Sequence, residues 1–451
     1  MSDIIAAIAT GRAPCAIGIL RLSGPGCAAL TGRVFTPKQP FADAPDRRLV
    51  LGLLHDRQGR VIDECLGVVC RAPHSYTGEE TVELQCHGSP AMLAAGLEAL
   101  LAAGARQAGP GEFTRRAFLN GKLDLTQAEA VVDLIDAETA DAAANAAGQL
   151  GGALKRAIGP VYDGLTDLCS HFHAVLDYPD EDIEDFGAAE LSGALDRAGA
   201  ALQELLATYE KGRHLRQGVR AVLLGKPNAG KSSLLNRLAG YDRVIVTDIA
   251  GTTRDTVEEP VRVGRVLLRL TDTAGIREAG DAIEALGVAR SEQAAREAEL
   301  ALFVCDASQP LTDEDRRAIE AAKCAPRSLA LCNKSDLPAA VSPDELPFDT
   351  VLTVSARTGA GLDALPALLE GWFLGENACD GSLLTNPRQF GALDRASRAI
   401  ERAKTGLCLG VTPDAVLTDV EEAMAALGEV TGRTVREDIT NRIFERFCVG
   451  K

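Results

Sequence analysis

The chain has 451 residues, of which 46% are hydrophobic and 25% charged, so it is globular and long enough for about two to four domains. Aromatic residues make up only 4%, and the formal net charge is −17. These values argue against a protein that binds nucleic acid through a broad basic surface or stacks bases on aromatic rings. Contact with RNA would need a local basic patch or a partner protein.

The N-terminal stretch, MSDIIAAIATGRAP, lacks the basic start and the long apolar run of a secretory signal. No apolar run reaches the roughly 18 residues that suggest a membrane helix. We therefore expect a cytoplasmic protein without membrane contact. The 12 cysteines are scattered, with no C-x-x-C pair and no zinc-type clustering, and we expect them to be reduced thiols in the protein interior.

Four segments follow from the pattern along the chain. Residues 1–121 mix β-patterned runs such as AIGILRL and TVELQC with one helical run, PAMLAAGLEALLAAG, which predicts a small α+β domain. Residues 122–216 and 377–451 are helical, whereas 217–376 alternate strands and helices and predict a mostly parallel sheet. We predict an α+β multidomain protein in which an all-α helical domain, in two parts, is interrupted by an inserted α/β domain.

The inserted segment contains GKPNAGKS, residues 225–232, which fits the phosphate-loop motif G-x-x-x-x-G-K-[S/T]. It follows the apolar run RAVLLG and precedes the helical run SSLLNRLAG, as this motif requires. Gly225 and Gly230 let backbone N–H groups surround phosphates, Lys231 reaches the β- and γ-phosphates, and the Ser232 hydroxyl binds Mg²⁺.

Two segments further along the chain fit the γ-phosphate end of such a site. Thr253, in AGTTRD, is placed to bind Mg²⁺ and to sense the γ-phosphate. Asp272, in DTAG, ends a strand and can hold Mg²⁺ through water, and the N–H of Gly275 can meet the γ-phosphate.

Two more segments fit the base. Asp336, in NKSD, can accept hydrogen bonds from the N1–H and the 2-amino group of guanine, which adenine does not offer. In SAR, the Ala356 amide can reach guanine O6. Together these motifs predict a Ras-like α/β P-loop GTPase domain. The predicted GTP-binding residues are Asn228, Ala229, Gly230, Lys231, Ser232, Ser233, Thr247, Asp248, Ile249, Ala250, Gly251, Thr252, Thr253, Asp272, Thr273, Ala274, Gly275, Asn333, Lys334, Asp336, Ser355, Ala356 and Arg357.

Hydrolysis of GTP needs a group that orients water and a positive charge at the phosphates. Ile276 occupies the position of the water-orienting glutamine of Ras-type enzymes and cannot hydrogen-bond a water. The Asn228 amide oxygen, with backbone carbonyls of TDIAGTT, is suited to hold K⁺ as the missing charge. Alternatively, Asn228 only braces the loop, and Arg254 or Arg277 acts as an arginine finger.

The water-orienting group has three candidates, the carboxylates that follow Ile276 in the chain. A carboxylate that touches the γ-phosphate would be repelled, so it would act through a bridging water. Each of the three also fits a solvated charge at a helix start. The candidates are Glu278, Asp281 and Glu284.

Over its whole length the chain resembles the MnmE (TrmE) family of tRNA-modification GTPases. The resemblance is carried by IGILRLSG, SYTGEETVELQCHG, PGEFTRRAFLNGKLDLTQAEAVVDLIDA, GKPNAGKSSLLN, VTDIAGTTRD, DTAGIRE and RIFERFCVGK. Many GTPases share the G-domain motifs, whereas GEFTRRAFLNGKLDLTQAEA and the closing CVGK are much more specific.

The resemblance implies an N-terminal folate-binding domain that forms homodimers and a helical domain that carries the G domain. It implies a flavoprotein partner, MnmG (GidA), in a heterotetramer that installs a carboxymethylaminomethyl or aminomethyl group on the wobble uridine of certain tRNAs. A tetrahydrofolate derivative, 5-formyl or 5,10-methylene, would supply the carbon, and GTP hydrolysis would drive G-domain dimerisation and conformational cycling.

The resemblance also assigns roles by position. Its K⁺ ligands are matched by Asn228, Thr247, Ile249 and Thr252. Its Mg²⁺ ligands are matched by Ser232 and Thr253, and its catalytic groups by Glu284 and Lys231. Its folate contacts are matched by Arg21, Glu83, Lys122 and Lys451. Without the resemblance, Arg21 and Lys122 would be interpreted as surface charges.

Other functions fit part of the sequence. A regulatory GTPase of ribosome assembly would share PNAGKS and GTTRD but would not need residues 1–121. A folate-dependent one-carbon transferase would use the nucleotide only structurally, and an assembly subunit would not turn GTP over. Cys448 is either a nucleophile or an ordinary thiol near a helix end.

Overall fold

The computed structural model describes residues 3–11, 13–37, 40–177, 188–241, 258–271, 292–375, 379–433, 443–445 and 447–450. In these ranges the strands are β1 (Ile5–Ile8), β2 (Cys15–Ser23), β3 (Phe35–Pro37), β4 (Val50–His55), β5 (Val61–Cys70), β6 (Thr81–Gly88), β7 (Arg106–Gln107), β8 (Val219–Leu224), β9 (Glu258–Val263), β10 (Val266–Thr271), β11 (Leu300–Asp306), β12 (Arg327–Asn333) and β13 (Val351–Thr353).

The helices in the same ranges are α1 (Cys27–Thr31), α2 (Pro90–Ala102), α3 (Glu112–Leu119), α4 (Leu125–Ile135), α5 (Ala140–Leu150), α6 (Ala153–Asp177), α7 (Ala188–Ala207), α8 (Tyr209–Gln217), α9 (Lys231–Tyr241), α10 (Asp313–Ala322), α11 (Ala364–Phe373), α12 (Pro387–Cys408) and α13 (Pro413–Thr431). The pattern AIGILRL therefore forms most of β2, and PAMLAAGLEALLAAG forms α2, as predicted.

Two compact units make up the chain. The first comprises Met1–Val132, Ile158–Ile183 and Val411–Lys451, and the second comprises Asp133–Ala157 and Glu184–Gly410. Within the described ranges, each unit contains one β-sheet. The multidomain α+β fold is confirmed, whereas the predicted domain bounds stay a prediction.

The sheet of the first unit has the strand order β3-β4-β5-β6-β2-β1-β7. Its neighbouring strands are antiparallel except β1 and β7, which are parallel. Every second side chain of the central strands is buried, as Leu20 and Leu22 on β2 and Val82 and Leu84 on β6 illustrate. One face of the sheet therefore packs against α1 and α2. On the other face Ile5 and Ala7 pack with Phe113 of α3, and Arg21 and Glu83 are half-buried.

Two glycines on β4 and β5 make room for a pair of aromatic rings. A Cβ on Gly67 would lie 2.8 Å from the Phe35 ring and 2.9 Å from the Phe41 ring, and a Cβ on Gly52 would also meet Phe35. The two rings meet edge to face with their centroids 5.0 Å apart. The small residues on these strands thus let large side chains lie flat on the sheet.

The sheet of the second unit has the order β13-β12-β11-β8-β10-β9 and is parallel except for β9. All seven residues of β11 are buried. Their side chains alternate between two cores on opposite faces, with Leu302 and Val304 in one and Phe303 and Cys305 in the other. This burial on both faces is typical of parallel sheets and agrees with the predicted α/β segment.

The strands β8, β11 and β12 are adjacent and parallel, so their carboxyl ends meet at one edge of the sheet. The segments that follow these ends begin at Gly225, Ala307 and Lys334. In open α/β sheets ligands bind at this edge, where loops from neighbouring strands converge. The fold therefore brings the predicted phosphate loop and a predicted base loop to the same place.

Candidate functional site

The phosphate loop connects β8 to α9. Its backbone has positive φ at three residues, Gly225 (142°), Asn228 (63°) and Gly230 (97°). A side chain at Gly225 would collide with the Val304 carbonyl oxygen, so glycine is required there by contact as well as by φ. The loop therefore takes a tight curve, a conformation in which successive backbone N–H groups can line an anion site.

Lys231 is the first residue of α9 and folds back over the loop. Its ammonium group donates hydrogen bonds to the carbonyl oxygens of Gly225 at 2.7 Å and Lys226 at 2.8 Å. The predicted phosphate lysine thus lies against the first two residues of the loop, at the positive end of a helix. Ser232 and Ser233 follow it and are exposed.

Asn333 joins the phosphate loop to the base loops. Its side-chain Nδ2 donates to the Ala229 carbonyl oxygen at 2.8 Å, and its Oδ1 accepts from the Ala356 N–H at 2.9 Å. Asn333 is 2% exposed, so both hydrogen bonds are buried. One amide therefore fixes three of the predicted GTP-binding segments relative to one another.

Asp336 is oriented by two neighbouring side chains. The Ser355 hydroxyl donates to its Oδ1 at 2.6 Å, and Arg357 Nε lies 3.1 Å from its Oδ2. The hydrogen bond from Ser355, together with nearby positive charge, holds the pKa of Asp336 below its usual range. The carboxylate is therefore ionised at neutral pH and can accept from the two N–H donors of guanine.

Two buried carboxylates that the sequence analysis missed support these loops. Asp306, at the end of β11, accepts from Lys334 Nζ at 2.6 Å, and Asp315 on α10 accepts from Lys226 Nζ at 2.8 Å. Burial alone would raise the pKa of Asp306, but hydrogen bonds from Lys334 and Ser308 hold the pKa below its usual range. The sequence could have pointed to Asp306. This carboxylate ends the buried strand β11, and β11 is paired with the strand that leads into NKSD.

Several predicted residues lie outside the described part of the chain. They comprise the predicted γ-phosphate segments, most of the K⁺ ligands, the predicted water-orienting glutamate, both rival arginines and the last residue. These residues are Thr247, Asp248, Ile249, Ala250, Gly251, Thr252, Thr253, Arg254, Asp272, Thr273, Ala274, Gly275, Arg277, Glu284 and Lys451.

The first unit brings two of the predicted folate residues together. Arg21 on β2 and Glu83 on β6 are directly paired in the register, and Arg21 Nε donates to Glu83 Oε1 at 2.8 Å. Arg21 also lies beside the Tyr76 and Phe113 rings, with its guanidinium carbon 5.7 and 5.8 Å from their centroids. The Gly450 carbonyl oxygen accepts from Arg21 at 3.3 Å, which brings the end of the chain to the same place.

Lys122, the third predicted folate residue of the described part, follows α3 and is exposed. Its Nζ donates to the Pro73 carbonyl oxygen at 3.2 Å, so it lies against the loop of residues 73–80 that carries Tyr76. The structure places Lys122 beside this loop and does not record a contact of Lys122 with Arg21 or Glu83 in the described residues.

Arg116 on α3 anchors the loop that carries Tyr76, and the sequence analysis missed it. Its guanidinium donates to Glu79 at 2.9 Å and to Asp3 Oδ1 at 2.7 Å, and its side chain is only 10% exposed. Hydrogen bonds from Arg106 first, and from Arg116, lower the pKa of Asp3 to about 2 despite partial burial. The second arginine of FTRRAF therefore has a structural role that its sequence position alone did not reveal.

Two family models match the chain. Residues 4–122 match the family model described as the GTP-binding protein TrmE N-terminus, and residues 125–448 match that of the MnmE helical domain. The second match alone spans more than half of the chain. The chain belongs to the MnmE family.

Individual relatives are similar to this chain over their full length. The chain is 45% identical over 465 residues to the tRNA modification GTPase MnmE of Roseiflexus sp. (strain RS-1), covering 100% of this chain and 99% of the relative. It is 44% identical to the protein of the same name from Symbiobacterium thermophilum and 43% identical to that of Chloroflexus aurantiacus, again over 100% of this chain and at least 99% of each relative. The chain is a GTPase, as its motifs predict.

Among solved structures, the G domain of the T. maritima FeoB iron transporter is similar at 23% identity, over 33% of this chain and 94% of that domain. The TM-score of this match is 0.26. Within the described ranges, each helix falls short of the length and apolar character that crossing a bilayer requires.

Proposed function

We propose that this GTPase takes part in modifying the wobble uridine of certain tRNAs. In this proposal it works with the flavoprotein MnmG (GidA) and installs a carboxymethylaminomethyl or aminomethyl group, with a 5-formyl or 5,10-methylene tetrahydrofolate as carbon donor. The full-length similarity to proteins named tRNA modification GTPase supports it. The GTP-dependent part of the proposal rests on the two hydrogen bonds of the Asn333 side chain, which join the phosphate loop to both base loops.

Guanine nucleotide would bind with its phosphates in the loop 225–232 and its base between Asp336 and Ala356. Mg²⁺ would bind to Ser232, at the N-terminus of α9, and to Thr253, which lies outside the described residues. The ionised Asp336 supports guanine over adenine, because only guanine presents two donors to a carboxylate at this edge. Lys231 would neutralise charge on the transferred phosphoryl group.

K⁺ would supply the positive charge that an arginine finger supplies elsewhere, a contribution of about 10³–10⁵ in rate. The ligands would be the Asn228 amide oxygen and backbone carbonyls of Thr247, Ile249 and Thr252. Two observations support Asn228 in this role. It is exposed at the rim of the phosphate loop, and within the described residues its side chain has no recorded hydrogen-bond partner that would make it a brace.

The attacking water would be oriented by Glu284 through a bridging water. Ile276 cannot do so, and a carboxylate in direct contact with the γ-phosphate would be repelled. Both residues belong to the segment outside the described part of the chain, so this assignment depends on position in the family pattern.

Folate would bind at the Arg21–Glu83 pair with help from Lys122 and Lys451. The Glu83 carboxylate suits the N–H donors of a pterin edge, and arginine or lysine suits its carbonyls and glutamate tail. The flat rings of Tyr76 and Phe113 beside Arg21 add apolar surface of the kind that ligand sites combine with a few polar groups.

A homodimer would form through the first unit. The side chains of Leu49, Leu51 and Leu53 are 51%, 52% and 37% exposed, and Val61 on the neighbouring strand is 54% exposed. Leu51 and Leu53 alternate with the buried Leu54 and Gly52, so they point away from α1 and α2. A cluster of exposed apolar side chains on one sheet face is typical of a protein interface.

In this proposal the GTP cycle opens and closes the dimer and gates the modification, without forming the new carbon bond itself. The net charge of −17 is unfavourable for tRNA binding by this chain alone. The flavoprotein, in a heterotetramer with this chain, would therefore make most of the contacts to tRNA.

Reconstitution tests the proposal. The full chain, the flavoprotein, a folate donor, GTP and tRNA are combined, and modified uridine is measured by mass spectrometry together with GTP turnover. We expect Lys231→Ala to lose both activities and Arg21→Ala to keep GTP turnover but to lose modification at limiting folate. Lys323→Ala and Arg60→Ala, which remove exposed charges elsewhere, should behave as wild type.

Two results would contradict the proposal. Full modification by Lys231→Ala would make the nucleotide merely structural and favour a folate-dependent transferase. GTP turnover with no modification under any of these conditions would favour a regulatory GTPase such as one of ribosome assembly.

A further inference from the structure

Three side chains of metal-ligand type meet in the first unit, away from both sites described above. They are Asp63 and Cys65 on β5 and Cys86 on β6, and their ligand atoms all lie within 4.8 Å of one another. Both cysteines are free thiols. The sequence spacing does not reveal this cluster, because Cys65 and Cys86 are 21 residues apart in the chain.

The antiparallel register explains why the three groups meet. Leu66 pairs with Gln85, so the next pair along the two strands is Cys65 with Cys86. Asp63 precedes Cys65 by two positions and therefore projects from the same side of β5. Cys65 and Cys86 belong to the core between the sheet and its helices, whereas Glu83, three positions before Cys86, belongs to the other face.

Both thiols lie in a protected part of the first unit. Cys65 and Cys86 are 4% and 3% exposed. A divalent ion that binds there displaces the thiol protons, and its charge compensates the two thiolates that form.

Asp63 is already oriented by its neighbour. Its Oδ2 accepts from the backbone N–H of His87 at 2.8 Å, and its Oδ1 lies 2.7 Å from His87 Nδ1. The Asp63 side chain is 7% exposed while that of His87 is 80% exposed, so the histidine covers the carboxylate from the solvent side. Histidine–carboxylate pairs of this kind support metal ligands from outside, and each carboxylate oxygen keeps a second lone pair.

We propose that Asp63, Cys65 and Cys86 bind a Zn²⁺ ion, and that His87 is a positioning residue for Asp63. Two thiolates and one carboxylate form a donor set that zinc accepts and that Mg²⁺ and Ca²⁺ do not, and a water completes the tetrahedron. Binding releases the two thiol protons to solvent and involves no change of oxidation state. With two thiolates and one carboxylate bound, the zinc complex as a whole has a net charge of −1, and it lies next to the polar His87.

The expected consequence is structural. The ion would connect β5 to β6 at the end of the strand pair, on the helix-covered face, and so stabilise the sheet that presents Glu83 on its other face. A site of this type contributes directly to folding free energy, because the unfolded chain does not hold the three ligands together. The inference depends only on the first unit and is independent of the proposed function.

Metal titration of the full-length protein tests the proposal. The reduced protein is freed of metal with a chelator and titrated with Zn²⁺ and, as a spectroscopic probe, Co²⁺. We expect one ion per chain, near-ultraviolet charge-transfer bands of Co²⁺–thiolate bonds, and an increased melting temperature of the first unit. Cys65→Ser and Cys86→Ser should each abolish tight binding, and His87→Ala should weaken it by about 10–100-fold.

The matched control is Cys70→Ser, which changes another cysteine of β5 that does not belong to the cluster and should bind the metal as wild type. GTP turnover reports on the second unit alone, which carries the nucleotide loops, so far-ultraviolet circular dichroism of each metal-free variant is measured to show that the first unit is folded. Absence of the thiolate bands in the wild-type protein would overturn the proposal. So would undiminished zinc uptake by the Cys65→Ser, Cys86→Ser double variant, or isolation of the protein from zinc-supplemented cells with a Cys65–Cys86 disulfide and no zinc.

Discussion

The Asn333 side chain donates a hydrogen bond of 2.8 Å to the carbonyl oxygen of Ala229, and this contact ties the end of β12 to the phosphate loop. On its other side the same amide accepts from the Ala356 N–H. The phosphate loop and the two predicted base loops are therefore tied together by one buried group. A change in either loop is expected to affect the other.

Replacing Asn333 by alanine should weaken GTP binding and destabilise the second unit. The change leaves the Ala229 carbonyl and the Ala356 N–H without their partner, at about 1–3 kcal/mol for each buried group. We expect the dissociation constant for GTP to rise by at least about tenfold, measured with a fluorescent nucleotide.

Asn386→Ala is the matched control for Asn333→Ala. Asn386 caps α12 by accepting from the Arg388 N–H, so its loss should cost about 1 kcal/mol of stability. GTP affinity should not change in this variant. Unchanged GTP affinity in Asn333→Ala would instead show that the three segments are fixed by other contacts.

Gly230→Ala should abolish nucleotide binding. A Cβ at this position would collide with the Asn333 amide nitrogen, and the φ of 97° is unfavourable for any residue with a side chain. Gly371→Ala in α11 is the control, because its Cβ would meet nothing within 4 Å and alanine favours helix by about 0.5–1 kcal/mol. Both variants can be compared by calorimetric titration with GDP, and a Gly230→Ala protein that binds GDP normally would contradict the close approach.

Glu299 should make the stability of the second unit depend on pH in the acid range. Burial raises the pKa of Glu299, but hydrogen bonds from His214 and Arg213 outweigh it and bring the pKa well below its usual range. A carboxyl whose folded-state pKa is lowered stabilises the protein above its unfolded pKa, near about 4.3, and this contribution is lost as the pH falls further. Glu299→Gln should therefore cost about 2 kcal/mol at neutral pH, and the difference from wild type should shrink below about pH 4.5.

Denaturation followed through Trp372 measures this effect, because the only tryptophan of the chain belongs to the second unit. Glu297→Gln, an exposed carboxylate two residues away, should change the free energy of unfolding by less than about 0.5 kcal/mol. A constant difference between wild type and Glu299→Gln across the acid range would contradict the ion-pair account.

The motifs located three segments that the structure connects through Asn333, because glycine, lysine and aspartate in these patterns have specific chemical roles, and their contacts to phosphate and base stay a prediction. The sequence also predicted β2 and β6, on which Arg21 and Glu83 lie directly opposite each other. The Lys226–Asp315 ion pair was missed because its residues are 89 positions apart in the chain. The contact of Arg116 with Asp3 was missed for the same reason, since 113 positions separate these two residues. For the same reason Cys65 and Cys86 were expected to be ordinary core thiols, since pairing across two strands cannot be deduced from spacing.

The central claim is that an alkali ion at Asn228 supplies the charge needed to hydrolyse GTP. GTP turnover should be measured in K⁺ and in Na⁺ at equal ionic strength for wild type, Asn228→Gly and Asn228→Asp. The φ of 63° makes glycine a better deletion than alanine, because glycine keeps this backbone conformation while removing the amide oxygen. The account predicts turnover at least about tenfold faster in K⁺ for wild type, loss of that difference in Asn228→Gly and partial retention in Asn228→Asp; equal wild-type rates in the two salts, or full K⁺ stimulation of Asn228→Gly, would contradict it.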